Sequence, residues 1–256
     1  MITIFTPTYN RRNTLPRLYK SLKEQIDMDF EWLIVDDGSK DNTKELIEKY
    51  QEENLLNIRY FYQENGGKQR AINNGIKKAL GKYFFIVDSD DFLSNDAISM
   101  IKKYAISLPN DFGGMVFKKI PISQKDSIHF TEKYIDTNPI DIVFKYNLLG
   151  DKGEIFKTEI FKNFPFPEIP NEKFVPEGYI WNKIGEKYNL RYIDYGIYYF
   201  EYLEDGYTNN FKRDLKRNPK GFSLYYKDML SYNIPLSAKI KFFLRYLQTK
   251  LYCITK

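Results

Sequence analysis

Over residues 1–91, short and mostly apolar runs alternate with longer segments in which apolar positions recur every three or four residues. Ile2–Phe5, Trp32–Val35, Ile58–Tyr62 and Tyr83–Val87 read as buried strands. Between them, Asn13–Gln25, Asp41–Tyr50 and Gln69–Leu80 read as helices that turn Leu15, Leu18, Ile47, Ala71 and Ile72 inward. Apolar strands alternating with helices predict a parallel sheet covered on both faces. Beyond Met115 the pattern loosens. It predicts a strand at Met115–Ile120, short helices at Ile140–Tyr146 and Lys157–Lys162, a proline-punctuated loop, a helix at Tyr179–Tyr188 and a β-like run at Tyr192–Leu203.

The polar residues are as ordered as the apolar ones. Three of the strands stop at polar or acidic clusters: Thr6-Pro7-Thr8, Asp36-Asp37-Gly38-Ser39 and Asp88-Ser89-Asp90-Asp91. In an open α/β sheet the ends of parallel strands share one edge, and ligands bind in the crevice there. Residues far apart in sequence are therefore expected to meet at one site.

Each cluster has a chemical reading and a plainer one. Close carboxylates repel unless something positive lies between them, and hard cations such as Mg²⁺ or Mn²⁺ take oxygen ligands. Asp88-Ser89-Asp90-Asp91 can hold such a cation against a diphosphate, or simply end a strand and cap the next helix. A carboxylate in Asp36-Asp37-Gly38-Ser39 can accept a base N–H, or close an Asx turn. In Asn65-Gly66-Gly67-Lys68-Gln69-Arg70, Lys68 or Arg70 can sit over a diphosphate at a helix start, or face solvent. Neither a dinucleotide-binding glycine fingerprint nor a P-loop is present.

Composition narrows the field. The 256 residues hold one cysteine, Cys253, and one histidine, His129, which excludes an internal disulfide and any Cys- or His-rich metal site. His129 falls in a polar stretch and reads as a surface residue. The formal charge of +5 is too small an excess to imply nucleic-acid binding. No apolar run is long enough to span a bilayer, and the N-terminus does not read as a signal peptide, so a cytoplasmic location is expected. After Asp228 there is no acid, while Lys239, Lys241, Arg245, Lys250 and Lys256 follow. Leu236, Ile240, Phe243, Leu244, Leu247 and Leu251 fall on one helical stripe. Such a basic amphipathic segment, residues 229–256, suits peripheral contact with the inner face of a membrane, or packing on the body or a second subunit.

Taken together and in order, Thr6-Pro7-Thr8-Tyr9-Asn10, Val35-Asp36-Asp37-Gly38-Ser39, Asn65-Gly66-Gly67 and Asp88-Ser89-Asp90-Asp91 closely resemble the family 2 glycosyltransferases of the GT-A fold, across about residues 1–110. The resemblance implies an α/β fold with a mostly parallel central sheet flanked by helices. It implies a Rossmann-like nucleotide-binding half (residues 1–110), an acceptor-binding half (111–215) and, after them, the basic C-terminal segment (216–256). It implies a nucleotide-sugar donor, a UDP-sugar in this reading, a divalent Mn or Mg ion, a saccharide or lipid-linked acceptor, and inversion at the anomeric carbon.

Carried over by position, Thr6, Pro7 and Tyr9 line the base and ribose pocket, Asp37 reads uracil and Asp36 supports that strand end. Lys68 is the cation for the diphosphate. Asp88 and Ser89 face the ribose or diphosphate, Asp90 holds the metal and Asp91 lies near the donor sugar. In Pro176-Glu177-Gly178-Tyr179-Ile180-Trp181-Asn182-Lys183, Glu177 matches the catalytic base and Lys183 the basic residue six positions later, although Glu177 stands alone where the family usually has an acidic pair. Asp151 and Trp181 are candidates to touch acceptor or donor sugar, and Glu204-Asp205-Gly206 resembles either a lid or a surface turn. A phosphoacceptor domain of the signalling-receiver kind is the competing reading. There the acidic pair would follow the first strand, whereas here it follows the second.

Overall fold

The structure is a computed structural model and describes residues 1–124, 130–201 and 210–254. His129 and Glu204-Asp205-Gly206 lie outside the described residues. The first half runs β1 (Ile2–Thr8), α1 (Leu15–Lys23), β2 (Phe30–Asp36), α2 (Thr43–Glu52), β3 (Ile58–Tyr62), α3 (Lys68–Lys78) and β4 (Tyr83–Ile86). It continues through β5 (Phe92–Leu93), α4 (Ala97–Ile106), β6 (Gly114–Pro121), β7 (Tyr134–Thr137) and α5 (Pro139–Phe144). The rest is β8 (Lys152–Lys157), α6 (Thr158–Phe161), α7 (Glu177–Gly185), β9 (Leu190–Phe200), α8 (Phe211–Arg217), α9 (Pro219–Met229) and α10 (Leu236–Ile254).

One sheet of order β3-β2-β1-β4-β8-β6-β9-β5 runs through the molecule, with β7 beside β9. The expected parallel arrangement covers β3, β2, β1 and β4, in which Ile2 pairs with Phe30 and Tyr83. Beyond β4 the sheet is mixed: β8 is antiparallel to β4 and β6, while β6 and β9 are parallel. Every residue of β1 and β2 is buried. One layer of helices covers each face. Leu15, Leu18, Leu22, Ile47, Ile98 and Ile101 fill one side, and Ala71, Ile72, Ile76, Phe161, Ile180 and Ile184 the other.

Two features escaped the apolar pattern. β2 begins at Phe30 and carries Glu31 fully buried; the carboxylate survives because Thr3 Oγ1, Arg59 and the Leu80 N–H all donate to it. β8 reads Lys-Gly-Glu-Ile-Phe-Lys, too charged to register as a strand. It forms because it lies between β4 and β6 and because Lys157 donates to the carbonyls of Pro109 and Asn110. Leu80, the last residue of the helix expected over Gln69–Leu80, lies past the end of α3 and is exposed.

Candidate active site

The C-terminal ends of β1, β2 and β4 open on a cavity of about 1110 Å³, closed on the far side by the loop before α7 and by α8. Backbone chemistry holds its rim. The Asn10 N–H donates to Ser39 Oγ and the Lys40 N–H to Asn10 Oδ1, both at 2.8 Å, which ties the β1 end to the β2 end. Asp36 is buried: its carboxylate accepts from the Ser39 N–H and the Tyr60 hydroxyl, so it braces the turn.

Asp37 lines the cavity, but its carboxylate already accepts from Gln63 Nε2 at 2.7 Å, Asn65 Nδ2 at 3.0 Å and the N–H groups of Gly66 and Gly67 at 2.8 Å. Four donors match the four lone-pair positions of a carboxylate. In this structure Asp37 therefore clamps the Asn65-Gly66-Gly67 turn, and a base N–H would have to share with one of these donors. Gly67 has φ +98°, and a Cβ on it would meet the Lys173 carbonyl oxygen at 2.2 Å, which explains the glycine.

The acidic cluster after β4 is organised around lysines. Lys68, first residue of α3, reaches Asp88 Oδ1 at 2.6 Å and Glu177 Oε1 at 2.9 Å. Glu177 opens α7, so one ammonium joins two carboxylates from the two halves of the chain. Burial opposes the charge on Lys68, but Asp88 and Glu177 outweigh it and hold its pKa well above the ordinary value. Lys119, from β6, lies 3.7 Å from Asp88 and 3.9 Å from Asp91, over the Tyr198 ring. Burial works against the Asp88 charge as well, yet Lys68 and Lys119 hold its carboxyl down to about 2.

Asp90 and Asp91 differ from Asp88. Burial and the Asp88 charge push the Asp90 carboxyl up, and among the described residues its ion-pair partner is Arg11 at 3.8 Å. The same two causes push Asp91 up to about 7. The Tyr198 hydroxyl bonds Asp91 and accepts from the Asp88 N–H at 2.8 Å, which fixes the loop between them. Among the described residues no three acids, histidines or cysteines converge as a ready-made metal cage. The donor set instead fits a divalent cation that takes one or two protein carboxylates and completes its shell with phosphate oxygens. Asp90 and Asp91, whose charge is otherwise disfavoured, are the residues that would gain from it.

Of the remaining sequence candidates, Pro7, Tyr9, Ser89 and Asp151 line the cavity. Thr6 does not: it is fully buried beneath the site and accepts the Trp32 indole N–H at 3.0 Å. Thr8, two residues on and unmarked in the sequence, does line it, and its buried Oγ1 makes no hydrogen bond among the described residues. Trp181 is corrected outright. It lies on the inner face of α7 against Phe156, Phe161 and Phe166, in the core and away from the cavity, so it is no sugar contact. Lys183 also turns away, to Glu186 and Asp228. Periodicity gave no means of selecting Arg11, Lys119, Tyr198, Lys173 or Arg213, because each reaches the site through tertiary packing.

Glu154 on β8 lies close enough to feel the charges of Lys119 and Glu177. Its carboxyl is pushed up to about 7, mainly by burial. A folded-state pKa raised above the unfolded value of about 4.3 stabilises the protein fully below that value, and the contribution is lost as pH rises through 7. Glu154→Gln should therefore remove a pH-dependent loss on the order of 1–3 kcal/mol between pH 4 and 8. Urea melts of both proteins at the two pH values check this; parallel stability curves would refute it.

A mixed sheet, nine-stranded among the described residues, between helix layers and with acids gathered over the ends of its parallel strands, is the architecture of GT-A glycosyltransferases. Staphylococcus aureus TarS (residues 1–349), solved in complex with UDP-GlcNAc, matches 97% of this chain and 72% of its own at a TM-score of 0.72 and 22% identity. The mannosyltransferase PcManGT from Pyrobaculum calidifontis, solved with GDP-Man and Mn²⁺, matches 98% and 69% at a TM-score of 0.65 and 20% identity. The chain belongs to glycosyl transferase family 2, whose sequence profile matches residues 3–162. It is 28% identical over 187 residues to the GalNAc(5)-diNAcBac-PP-undecaprenol beta-1,3-glucosyltransferase of Campylobacter jejuni, a match that takes in 70% of this chain and 58% of that one. Three further curated relatives are matched over 37%, 31% and 17% of their lengths, so the chain spans well under two thirds of them. The receiver-like reading is not favoured by any of these likenesses.

Proposed function

We propose that the chain transfers a sugar, with inversion, from a UDP-sugar to a hydroxyl of a saccharide or lipid-linked acceptor. The observation that carries this reading is the Lys68 bridge, which puts the acidic end of β4 and Glu177 on one cavity. Pro7, Thr8 and Tyr9 would receive the base and ribose, and the unsatisfied Thr8 hydroxyl supplies a hydrogen bond to a donor there. Asp37 would act on the base through the turn it holds, and Asp36 by bracing the same strand end. Asp88, Ser89 and Lys68 would bound the diphosphate, and Asp91 the donor sugar.

Asp90 would hold a divalent Mn or Mg ion, which when bound neutralises charge growing on the departing diphosphate. Glu177 would take the proton from the attacking hydroxyl. Its neighbour Lys68, 2.9 Å from Oε1, holds that side chain at the cavity wall. Asp151 and the wall formed by Lys173, Phe174 and Arg213 would meet the acceptor. A lipid-linked acceptor is supported by the undecaprenol-linked saccharide in the name of the Campylobacter relative, and a UDP-linked donor by the TarS complex. The three-part division at residues 110 and 215 belongs to the same proposal.

The test is a thermal-shift panel of UDP, GDP and UDP-sugars with and without Mn²⁺. A Mn²⁺-dependent rise in melting temperature with a UDP ligand is expected. No shift with any nucleotide would overturn the reading.

A further inference from the structure

The C-terminal helix α10 has two faces with opposite fates. Phe242 and Tyr246 pack on the small core built from Leu215, Phe222 and Tyr226 of α8 and α9, and Thr249 beside them is fully buried. At 3.6 residues per turn, Leu236, Ile240, Phe243, Leu244, Leu247 and Ile254 fall within roughly 100° of arc on the opposite side. They are 43–82% exposed. Single exposed apolar residues are ordinary, but six in register along one helix are not.

We infer that this face lies flat on an anionic lipid surface, with α10 in the plane of the interface. Charge selects this occupant. No acid follows Asp228. By the same helical geometry Lys239 and Lys250 border the apolar arc on one side and Lys241 on the other. Apolar side chains flanked by cations match a lipid headgroup layer, into which the rings and leucines insert while the ammonium groups meet phosphates. A second copy is a poorer occupant: a two-fold pairing through this face would bring these cations together with no carboxylate on either helix to offset them. The helix does not cross the bilayer, since no helix of the described residues is long and apolar enough to do so. With its inner face committed to α9, α10 can bind lipid without unfolding from the body.

This inference does not depend on the transfer reading, because lipid binding is read without donor or acceptor. The full chain is floated with vesicles of phosphatidylcholine plus phosphatidylglycerol, and separately with phosphatidylcholine alone. Binding to the anionic vesicles, weakened by high salt, is expected. Leu244→Asp with Leu247→Asp, and separately Lys239→Glu with Lys250→Glu, should each weaken it at least about tenfold. Circular dichroism and the nucleotide thermal shift of both variants should match the wild type, because these side chains face away from the body. A chain that stays in solution with anionic vesicles overturns the inference. So does equal binding to neutral vesicles, or a dimer on size exclusion that the leucine variant dissociates.

Discussion

Glu177→Gln is expected to lower the rate of sugar transfer by about 10²–10⁴-fold, the usual contribution of a positioned general base, while leaving the UDP-induced thermal shift in place. The substitution keeps the size of the side chain and an oxygen for Lys68, which sits 2.9 Å from Glu177 Oε1 and also holds Asp88. It removes the capacity to accept a proton from the acceptor hydroxyl, together with the charge that faces Lys68. Release of UDP with acceptor present measures it. The outcome that would sink the assignment is full turnover with donor binding intact, which would put the base elsewhere on the cavity wall. Loss of both turnover and UDP binding would instead mean that the Lys68 bridge, and not proton transfer, is what Glu177 supplies.

Asp90→Ala should reduce Mn²⁺-supported turnover by about 10²-fold or more, because stabilisation of charge on the leaving group is among the largest contributions to such a barrier. It should also abolish the part of the UDP thermal shift that needs Mn²⁺. Among the described residues the side chain's ion pair is a long contact with Arg11 at 3.8 Å, so folding should hardly change. Turnover close to wild type would discard Asp90 as the metal ligand. Asp91, pushed up by the same neighbours, would be the residue to replace next.

How much of this was legible beforehand differs between the two halves of the chain. β1, β2, β3 and β4 are apolar segments joined by helices with clean periodicity, so their parallel order and the meeting of their polar ends follow from local pattern and connection rules. Asp37, Asp88, Asp90 and Asp91 sit at those ends and were visible for that reason. β8 was invisible because its stability comes from two antiparallel neighbours and from carbonyl partners for Lys157, none of which leave a periodic trace. Trp181 was misread because it stands four residues after Glu177 on the same side of α7, about 6 Å further along the axis, where Phe156, Phe161 and Phe166 pack around it while Glu177 at the helix start lines the cavity.

The amino-acid sequence by itself determined the alternation of strand and helix, the acid clusters that close β2 and β4, and the acid-free amphipathic C-terminus, because each arises between residues near one another along the chain. Only the tertiary structure decided that Lys68 joins Asp88 to Glu177, that Lys119 and Tyr198 hold the acidic loop, that Asp37 is saturated by the glycine turn, and that the apolar stripe of α10 points outward. Those outcomes depend on which groups remain to satisfy a buried charge or cover an apolar surface once the sheet has formed, and separation along the chain carries no record of that.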